Sequence, residues 1–147
     1  MAAMSSLRPR LKSERGAEII ELALVTPLLL ILLGAIVDFG FVFRSWEVLT
    51  NASREGARVG VLPDYSCTAG GGGDVEPRVN QYLAAAGISG ATVEVAETTT
   101  GGFTTCNVRV SMFQQLPSLG VFGRFFGGNF TSVYVAAGSS MRSEEQP

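Results

Sequence analysis

The hydrophobic pattern of the chain is dominated by one long apolar run near its start. Residues 22–37 contain no charged side chain, and apolar residues resume from Phe39 to Phe43 after the single acid Asp38. At the helical rise of about 1.5 Å per residue, the segment from Ile19 to Phe43 reaches about 37 Å, which exceeds the ~30 Å hydrocarbon core of a bilayer. The pattern therefore predicts a membrane-spanning helix over residues 17–43.

A helical pattern continues over residues 44–62. Apolar and small residues recur there at spacings of one, three and four, namely Val48, Leu49, Ala52, Gly56 and Val59. Glu55 and Arg58 are spaced to pair, and Pro63 is predicted to end the helix. This stripe predicts a helix extension on which an exported domain packs. In the alternative interpretation, a solvated stalk, the stripe stays exposed.

Residues 63–147 are predicted to form a small head domain that begins with a short helix. The Gly70–Gly73 run predicts a flexible linker, without the Lys-Ser/Thr pair of a phosphate loop. Asp74 is predicted to cap a helix over 75–86 that Gly87 ends. Its predicted inner face consists of Val79, Tyr82, Leu83 and Ala86.

Three later segments alternate apolar and polar residues as strands do. They cover residues 91–97, 106–113 and 131–138, and Gly101-Gly102 lies in the predicted hairpin turn between the first two. The predicted fold class is therefore α+β. A long N-terminal transmembrane helix extends into a small exported domain with one short helix and an antiparallel sheet of about three strands.

The segment 114–130 combines glycines with large apolar side chains. These side chains are Leu116, Leu119, Val121, Phe122, Phe125 and Phe126. We interpret the segment as a glycine-rich loop. Two interpretations stay open: the loop folds back to close the core, or it presents a contact surface for another subunit or for the membrane.

Polar residues inside the apolar run mark the positions that need a physical reason. Glu18 and Glu21 suit the positive end of the helix dipole, but Glu21 precedes unbroken apolar sequence, where a carboxylate is costly. Pro27 removes a backbone hydrogen bond to Ala23 and predicts a helix bend, which Thr26 would ease by donating to a preceding carbonyl. Asp38 is expected to be an interfacial acid that reaches water, with a subunit contact as the alternative.

Charge is distributed unevenly between the two ends of this helix. Residues 1–16 form a basic leader with a net charge of +3, while the remaining residues carry −5. Because positive flanks stay in the cytoplasm, the leader is expected inside and the C-terminal domain outside the inner membrane. The acidic exported part argues against nucleic acid as a partner. A cleaved secretory signal is the competing interpretation, but the apolar run exceeds the typical h-region of about 7–15 residues.

The two cysteines, Cys67 and Cys106, both fall in the predicted exported part. An isolated pair in an oxidising compartment usually forms a disulfide, and closing such a loop contributes about 3–4 kcal/mol. Two buried free thiols are the alternative. The chain has no His, and its only Lys is Lys12 in the leader. The exported part therefore lacks the commonest general base and metal ligand, and we expect neither an enzyme nor a metal or cofactor site.

The start of the helix resembles a known processing site. Gly16 followed five residues later by Glu21, ahead of a long apolar helix, resembles the cleavage site of type IV prepilins. The run Gly16–Leu28 is similar to that of the TadE-like family, minor pseudopilins of tight-adherence (Flp) pilus systems. The resemblance extends through Asp38-Phe39-Gly40 and the run Ala52–Arg58, and ends with Met141-Arg142.

This resemblance implies cleavage by a prepilin peptidase between Gly16 and Ala17. The new Ala17 amine would then lie one helical turn from Glu21, which the family uses to align subunits, with Glu18 as a second candidate acid. Implied partners are the peptidase, other pilins or pseudopilins, the assembly platform and the membrane. The implied role is pilus assembly for adhesion or secretion, either in the inner membrane or within an extracellular pilus. The alternative is an uncleaved, signal-anchored protein whose exported domain binds a ligand or partner.

Overall fold

The computed structural model describes residues 14–62, 67, 73–125, 127–128 and 131–143. The predicted leader up to residue 13, the predicted helix stop at Pro63 and the linker residues 70–72 lie outside these described residues, as does the side chain of Phe126.

One helix, α1 (Glu14–Val59), makes up the N-terminal part of the described chain. It contains 46 residues, so it extends over about 69 Å at the helical rise of about 1.5 Å per residue. Two further hydrogen bonds continue its last turn, from the Gly60 amide to the Gly56 carbonyl and from the Leu62 amide to the Val59 carbonyl. The predicted spanning segment and the predicted extension are therefore one continuous helix.

A second helix, α2 (Val75–Ala85), packs on α1 through Val75, Val79 and Leu83. Gly87 ends it as predicted: its φ is +76°, its amide donates to the Ala84 carbonyl, and the next amide donates to the Leu83 carbonyl. Two details of the prediction are wrong. Asp74 makes no side-chain capping hydrogen bond, and Tyr82 is exposed because it lies one residue off the buried stripe.

The three predicted strands form one antiparallel sheet in the order β1-β2-β3. Strand β1 is Thr92–Thr100, β2 is Phe103–Gln115 and β3 is Ser132–Arg142, so each is longer than its prediction. Gly101 and Gly102, with φ of +60° and +81°, form the two-residue turn between β1 and β2. Both positive φ angles are ones that glycine adopts without a steric penalty.

The core lies between the inner face of this sheet, helix α2 and the C-terminal half of α1. Leu49 and Ala52 of α1 are buried against Val108 and Val110 of β2 and against Val79 of α2. The stripe predicted over residues 44–62 is thus a packing surface, and the solvated-stalk alternative is wrong. Cys67 and Cys106 form a disulfide that closes 39 residues of chain. A loop of that length contributes about 4 kcal/mol to the free energy of unfolding.

A third helix, α3 (Pro117–Phe125), forms inside the segment that the sequence predicts as a loop. Strand β2 runs on to Gln115, and the chain then turns directly into this helix, which packs on α1. The fold class is α+β as predicted, with two short helices instead of one. Gly120 and Gly123 concealed the helix, because glycine is among the weakest helix formers.

Candidate functional site along helix α1

The N-terminal half of α1 has almost no protein around it. Most large apolar side chains here are between 45% and 74% exposed, for example Ile19, Leu22, Leu24, Leu28 and Leu32, whereas Ile31 is half-buried. By length and composition, α1 is the helix in the described chain that is able to cross a membrane. Such a surface is stable only in lipid or against other apolar helices, and it is consistent with a single-pass membrane anchor.

Four predicted functional residues lie together at the start of this exposed surface. Gly16, Ala17, Glu18 and Glu21 occupy the first two turns of α1, so Ala17 and Glu21 lie one turn apart on the same face. Glu18 and Glu21 are exposed, and neither has an ion-pair partner among the described residues. Their arrangement leaves two carboxylates available at one end of an apolar surface.

Pro27 lies inside α1 without interrupting it. The Thr26 hydroxyl donates a hydrogen bond to the Leu22 carbonyl oxygen at 2.7 Å, which is the local support that the sequence predicts. Proline still removes one main-chain donor from the ladder, so this turn is held by fewer backbone bonds than its neighbours. The bend itself stays a prediction.

Asp38 is the functional residue that sequence reasoning misplaced. Its side chain is completely buried, and it accepts hydrogen bonds from the Leu119 amide at 2.7 Å and the Ser118 amide at 3.2 Å. These are the second and third residues of α3, which are the donors that an N-cap side chain satisfies. Both predicted roles, a water-exposed acid and a contact between subunits, are therefore wrong. The carboxylate caps a helix about 80 residues away in the sequence.

Close packing surrounds this cap. A Cβ atom placed on Gly34 would lie 3.0 Å from the Ser118 Cβ and 3.4 Å from the Phe122 ring, so a larger residue there would require α3 to shift slightly away from α1. The negative carboxylate also lies at the positive end of the α3 dipole. Asp38 and Gly34 together attach α3 to the middle of α1. The signal in the sequence was Pro117, a residue favoured at the first position of a helix.

Aromatic side chains follow on the next two turns. The rings of Phe39 and Phe43 stack at 6.5 Å, and those of Phe43 and Trp46 lie 5.9 Å apart. All three are between 46% and 69% exposed. Aromatic residues of this kind favour the headgroup region, so they mark where an α1 that crosses a bilayer would leave it.

An ion-pair cluster lies far above that boundary. Glu55 accepts hydrogen bonds from Arg58, as predicted, at 3.0 and 3.1 Å, and from Arg78 of α2 at 3.1 and 3.3 Å. The side-chain hydrogen bonds from Arg58 and Arg78 lower the pKa of Glu55. The hydrogen bond to Glu55 raises the pKa of Arg58. The cluster is partly exposed and connects α2 to α1, which is a structural role.

One comparison with known protein families decides what this helix resembles. Residues 16–58 match the model of the TadE-like protein family. The match begins at Gly16 and ends one residue before α1 does, so the TadE-like segment is helix α1. It confirms the family resemblance predicted from the sequence. No curated protein and no solved structure matches the chain.

The TadE-like segment contains most of the predicted site but not all of it. Gly16, Ala17, Glu18, Glu21 and Pro27 lie within it, whereas the Cys67–Cys106 disulfide lies in the head domain, far from the predicted processing site. Helices α2 and α3 and the sheet lie outside the match. Within the described residues, no group of three or more His, Cys, Asp or Glu side chains is placed to hold a metal ion.

Proposed function

We propose that the protein is a minor pseudopilin of a tight-adherence (Flp) pilus system, processed by a prepilin peptidase and assembled through its apolar helix. The observation that carries this proposal is that the TadE-like match starts at Gly16, at the beginning of an apolar helix surface that the rest of the protein leaves uncovered. In this proposal the chain is the substrate of an enzyme and not an enzyme.

Processing would be a hydrolysis of the peptide bond between Gly16 and Ala17. Water adds across the bond, leaving a carboxylate on Gly16 and an ammonium group on Ala17. Gly16 suits a protease subsite without room for a side chain, and the basic leader would place the bond at the cytoplasmic face. The head domain, with its disulfide, would lie on the opposite side of the membrane.

The new ammonium group gives Glu21 a partner. It arises one helical turn away on the same face, or is supplied by a neighbouring subunit, and it offsets the cost of a carboxylate in an apolar environment. Glu18 is the second candidate for this pairing. Subunits whose uncovered α1 surfaces pack together would be brought into register by this pair, either at the base of the pilus or within the filament.

The mass of the native protein tests the proposal. Protein recovered from membranes of the producing cell is expected to lack residues 1–16, and the Gly16→Val variant is expected to retain them, because the added side chain blocks the subsite. A native protein that functions with its leader attached would contradict the proposal. It would favour the alternative, an uncleaved membrane-anchored protein whose exported domain binds a ligand or partner.

The pairing role needs a separate pair of variants. Glu21→Ala is expected to permit cleavage but to impair pilus assembly, while Glu18→Ala, a change of the same kind one turn earlier, is the matched control and is expected to assemble. Assembly is measured by recovery of sheared pili from the cell surface. If both variants assemble normally, neither acid pairs with the amine. If only Glu18→Ala fails, the pairing role belongs to Glu18.

A further inference from the structure

Helix α3 lies beside the part of α1 that a membrane would surround. Ser118 and Phe122 of α3 contact the backbone of α1 at Gly34, and the start of α3 is capped by Asp38. Gly34 is one turn before Asp38, about 6 Å lower along the axis at the helical rise. Helix α3 is therefore attached to the apolar run itself and not to the region of α1 that carries the sheet.

The depth of this contact follows from the length of the apolar run. From Ile19 to Val37 α1 rises about 28 Å, close to the ~30 Å hydrocarbon thickness, so Asp38 lies near the outer boundary of the hydrocarbon and Gly34 lies below it. A charge at that depth needs a protein partner. Asp38 has two, the Ser118 and Leu119 amides, and no exposed surface.

The two sides of α3 both carry large apolar side chains but differ in their surroundings. Gly123 is buried, and Leu119 and Phe122 are half-buried. On the other side Val121 is 68% exposed and Phe125 is 84% exposed, next to the exposed Arg124. Apolar side chains beside a basic one are typical of helices that lie in the membrane surface, with the apolar side chains about 5–10 Å into the headgroup and acyl boundary.

We propose that α3 is an interfacial helix that anchors the head domain to the outer surface of the lipid bilayer. Val121 and Phe125 enter the acyl boundary, and Arg124 lies among the lipid phosphates. Asp38 is the positioning residue that holds α3 at this depth. The inference depends on α1 spanning the bilayer, but not on cleavage after Gly16 or on assembly of a pilus, so it can fail or hold independently of the proposed function.

Lipid is favoured over a second copy of the chain for two reasons. Val37 and Phe41 of α1 are exposed within one turn of Asp38, which caps the start of α3, so a bilayer that surrounds α1 at this height also reaches α3. In addition, the exposed Arg124 beside these side chains finds an opposite charge in a lipid phosphate, whereas the same α3 surface of a second copy would offer another arginine.

The test measures lipid depth at a single fluorophore in full-length protein reconstituted into phosphatidylcholine vesicles. Trp46 is the only tryptophan, so a Trp46→Phe background is combined with Val121→Trp. Phosphatidylcholine brominated near the headgroup end of the acyl chain is expected to quench most of this emission, and bromine near the chain terminus much less. Aqueous acrylamide is expected to quench it weakly.

A matched control uses Thr100→Trp in the same background. Thr100 is exposed at the β1–β2 turn. This turn lies at the same end of the sheet as Cys106, whose sulfur is next to Gly60 of α1. Gly60 is about 33 Å above Asp38 along the helix. The emission of the Thr100→Trp protein is expected to be quenched by acrylamide and not by brominated lipid. If Val121→Trp behaves like this control, the lipid proposal is overturned. If it is shielded from both quenchers, the surface is a protein interface and the proposal is likewise overturned.

The positioning role of Asp38 is tested in the same assay. Adding Asp38→Ala to the Val121→Trp protein is expected to remove most of the lipid quenching, because α3 loses its cap, while Asp38→Asn retains one acceptor oxygen and is expected to restore part of it. A near-ultraviolet circular dichroism spectrum and a urea-unfolding transition like those of the parent protein establish that the head domain, with its Cys67–Cys106 disulfide, is folded in each variant. Unchanged lipid quenching in Asp38→Ala would overturn this role.

Discussion

The two halves of helix α1 have opposite surroundings although they belong to one unbroken helix. In the lower half, residues 16–37, large apolar side chains such as Leu24 are exposed. In the upper half, residues 38–59, Asp38 has no exposed surface, and neither do Leu49 and Ala52. Hydrophobic character alone therefore does not determine burial in this protein. Among the described elements, the lower half has α3 beside it at Gly34, whereas the upper half packs on the sheet and α2 and caps α3 through Asp38.

The acids of the two halves differ in the same way. Asp38 is buried and satisfied by two main-chain amides, whereas Glu21 is exposed and has no ion-pair partner among the described residues. A buried hydrogen-bonded carboxylate contributes to the stability of the fold, because its loss leaves donors without acceptors. An exposed carboxylate near the start of a helix contributes at most about 1 kcal/mol through the helix dipole. The acid of the upper half thus supports the fold, whereas the acid of the lower half is exposed among exposed apolar side chains.

The largest expected difference is between the effects of Asp38→Ala and Glu21→Ala on the free energy of unfolding. Asp38→Ala is expected to lower the free energy of unfolding by about 2–4 kcal/mol, because two buried amides lose a charged acceptor. Glu21→Ala is expected to change it by less than about 0.5 kcal/mol. Both are measured by urea unfolding in detergent micelles with Trp46 fluorescence. Equal effects of the two substitutions would contradict the assignment of stability to the upper half.

Two glycines within the upper half, Gly40 and Gly56, distinguish an open position of α1 from a packed one, with a smaller effect. A Cβ atom on Gly56 would lie 2.5 Å from Val79 Cγ2 and 3.2 Å from Val108 Cγ1, whereas nothing lies within 4 Å of a Cβ on Gly40. Gly56→Ala is therefore expected to destabilise the protein by about 1–3 kcal/mol through overpacking. Gly40→Ala is expected to stabilise it by up to about 1 kcal/mol through helix propensity. Thermal unfolding by circular dichroism checks both, and a stable Gly56→Ala variant would mean that α2 and the sheet do not close on α1.

The smallest expected effect concerns pH and the Glu55 cluster. Hydrogen bonds from Arg58 and Arg78 lower the pKa of Glu55 in the folded state below its ordinary value of 4.5. Its contribution is therefore present above that ordinary pKa and is lost as the pH falls through the lowered folded-state pKa. Because the cluster is partly exposed, we expect this contribution to be under about 1 kcal/mol.

The matching measurement compares the wild type with Glu55→Gln. Their difference in the free energy of unfolding is expected to be largest near neutral pH and to shrink in acid. A difference that does not vary with pH would assign the effect of the substitution to packing instead of charge.

The sequence predicted the elements whose signals are local. Alternation identified all three strands, and the stripe from Val48 to Val59 identified the packing surface of α1. The pair Gly101-Gly102 fixed the hairpin turn, because both residues need positive φ angles. Helix α2 was found, but Asp74 was assigned a cap it does not make, since residue type shows that a side chain is able to cap and not that its geometry allows it.

Helix α3 was not predicted, because its own residues carry too weak a helix signal. With two internal glycines it has little helix propensity of its own, and its cap comes from Asp38, a residue about 80 positions earlier. The sequence around Asp38 predicts an acid at a membrane boundary and does not indicate that its carboxylate caps a helix. The local sequence of neither segment signals that the two are paired.

The sequence by itself determined the apolar helix, the strands, the cysteine pair and the TadE-like resemblance, because each depends on residue type and spacing along the chain. Only the tertiary structure decided which acid is satisfied and which is left exposed. That outcome depends on which backbone amides the fold brings within hydrogen-bond distance of a carboxylate, about 3 Å. Such a distance between residues far apart in the chain cannot be read from their spacing in the sequence.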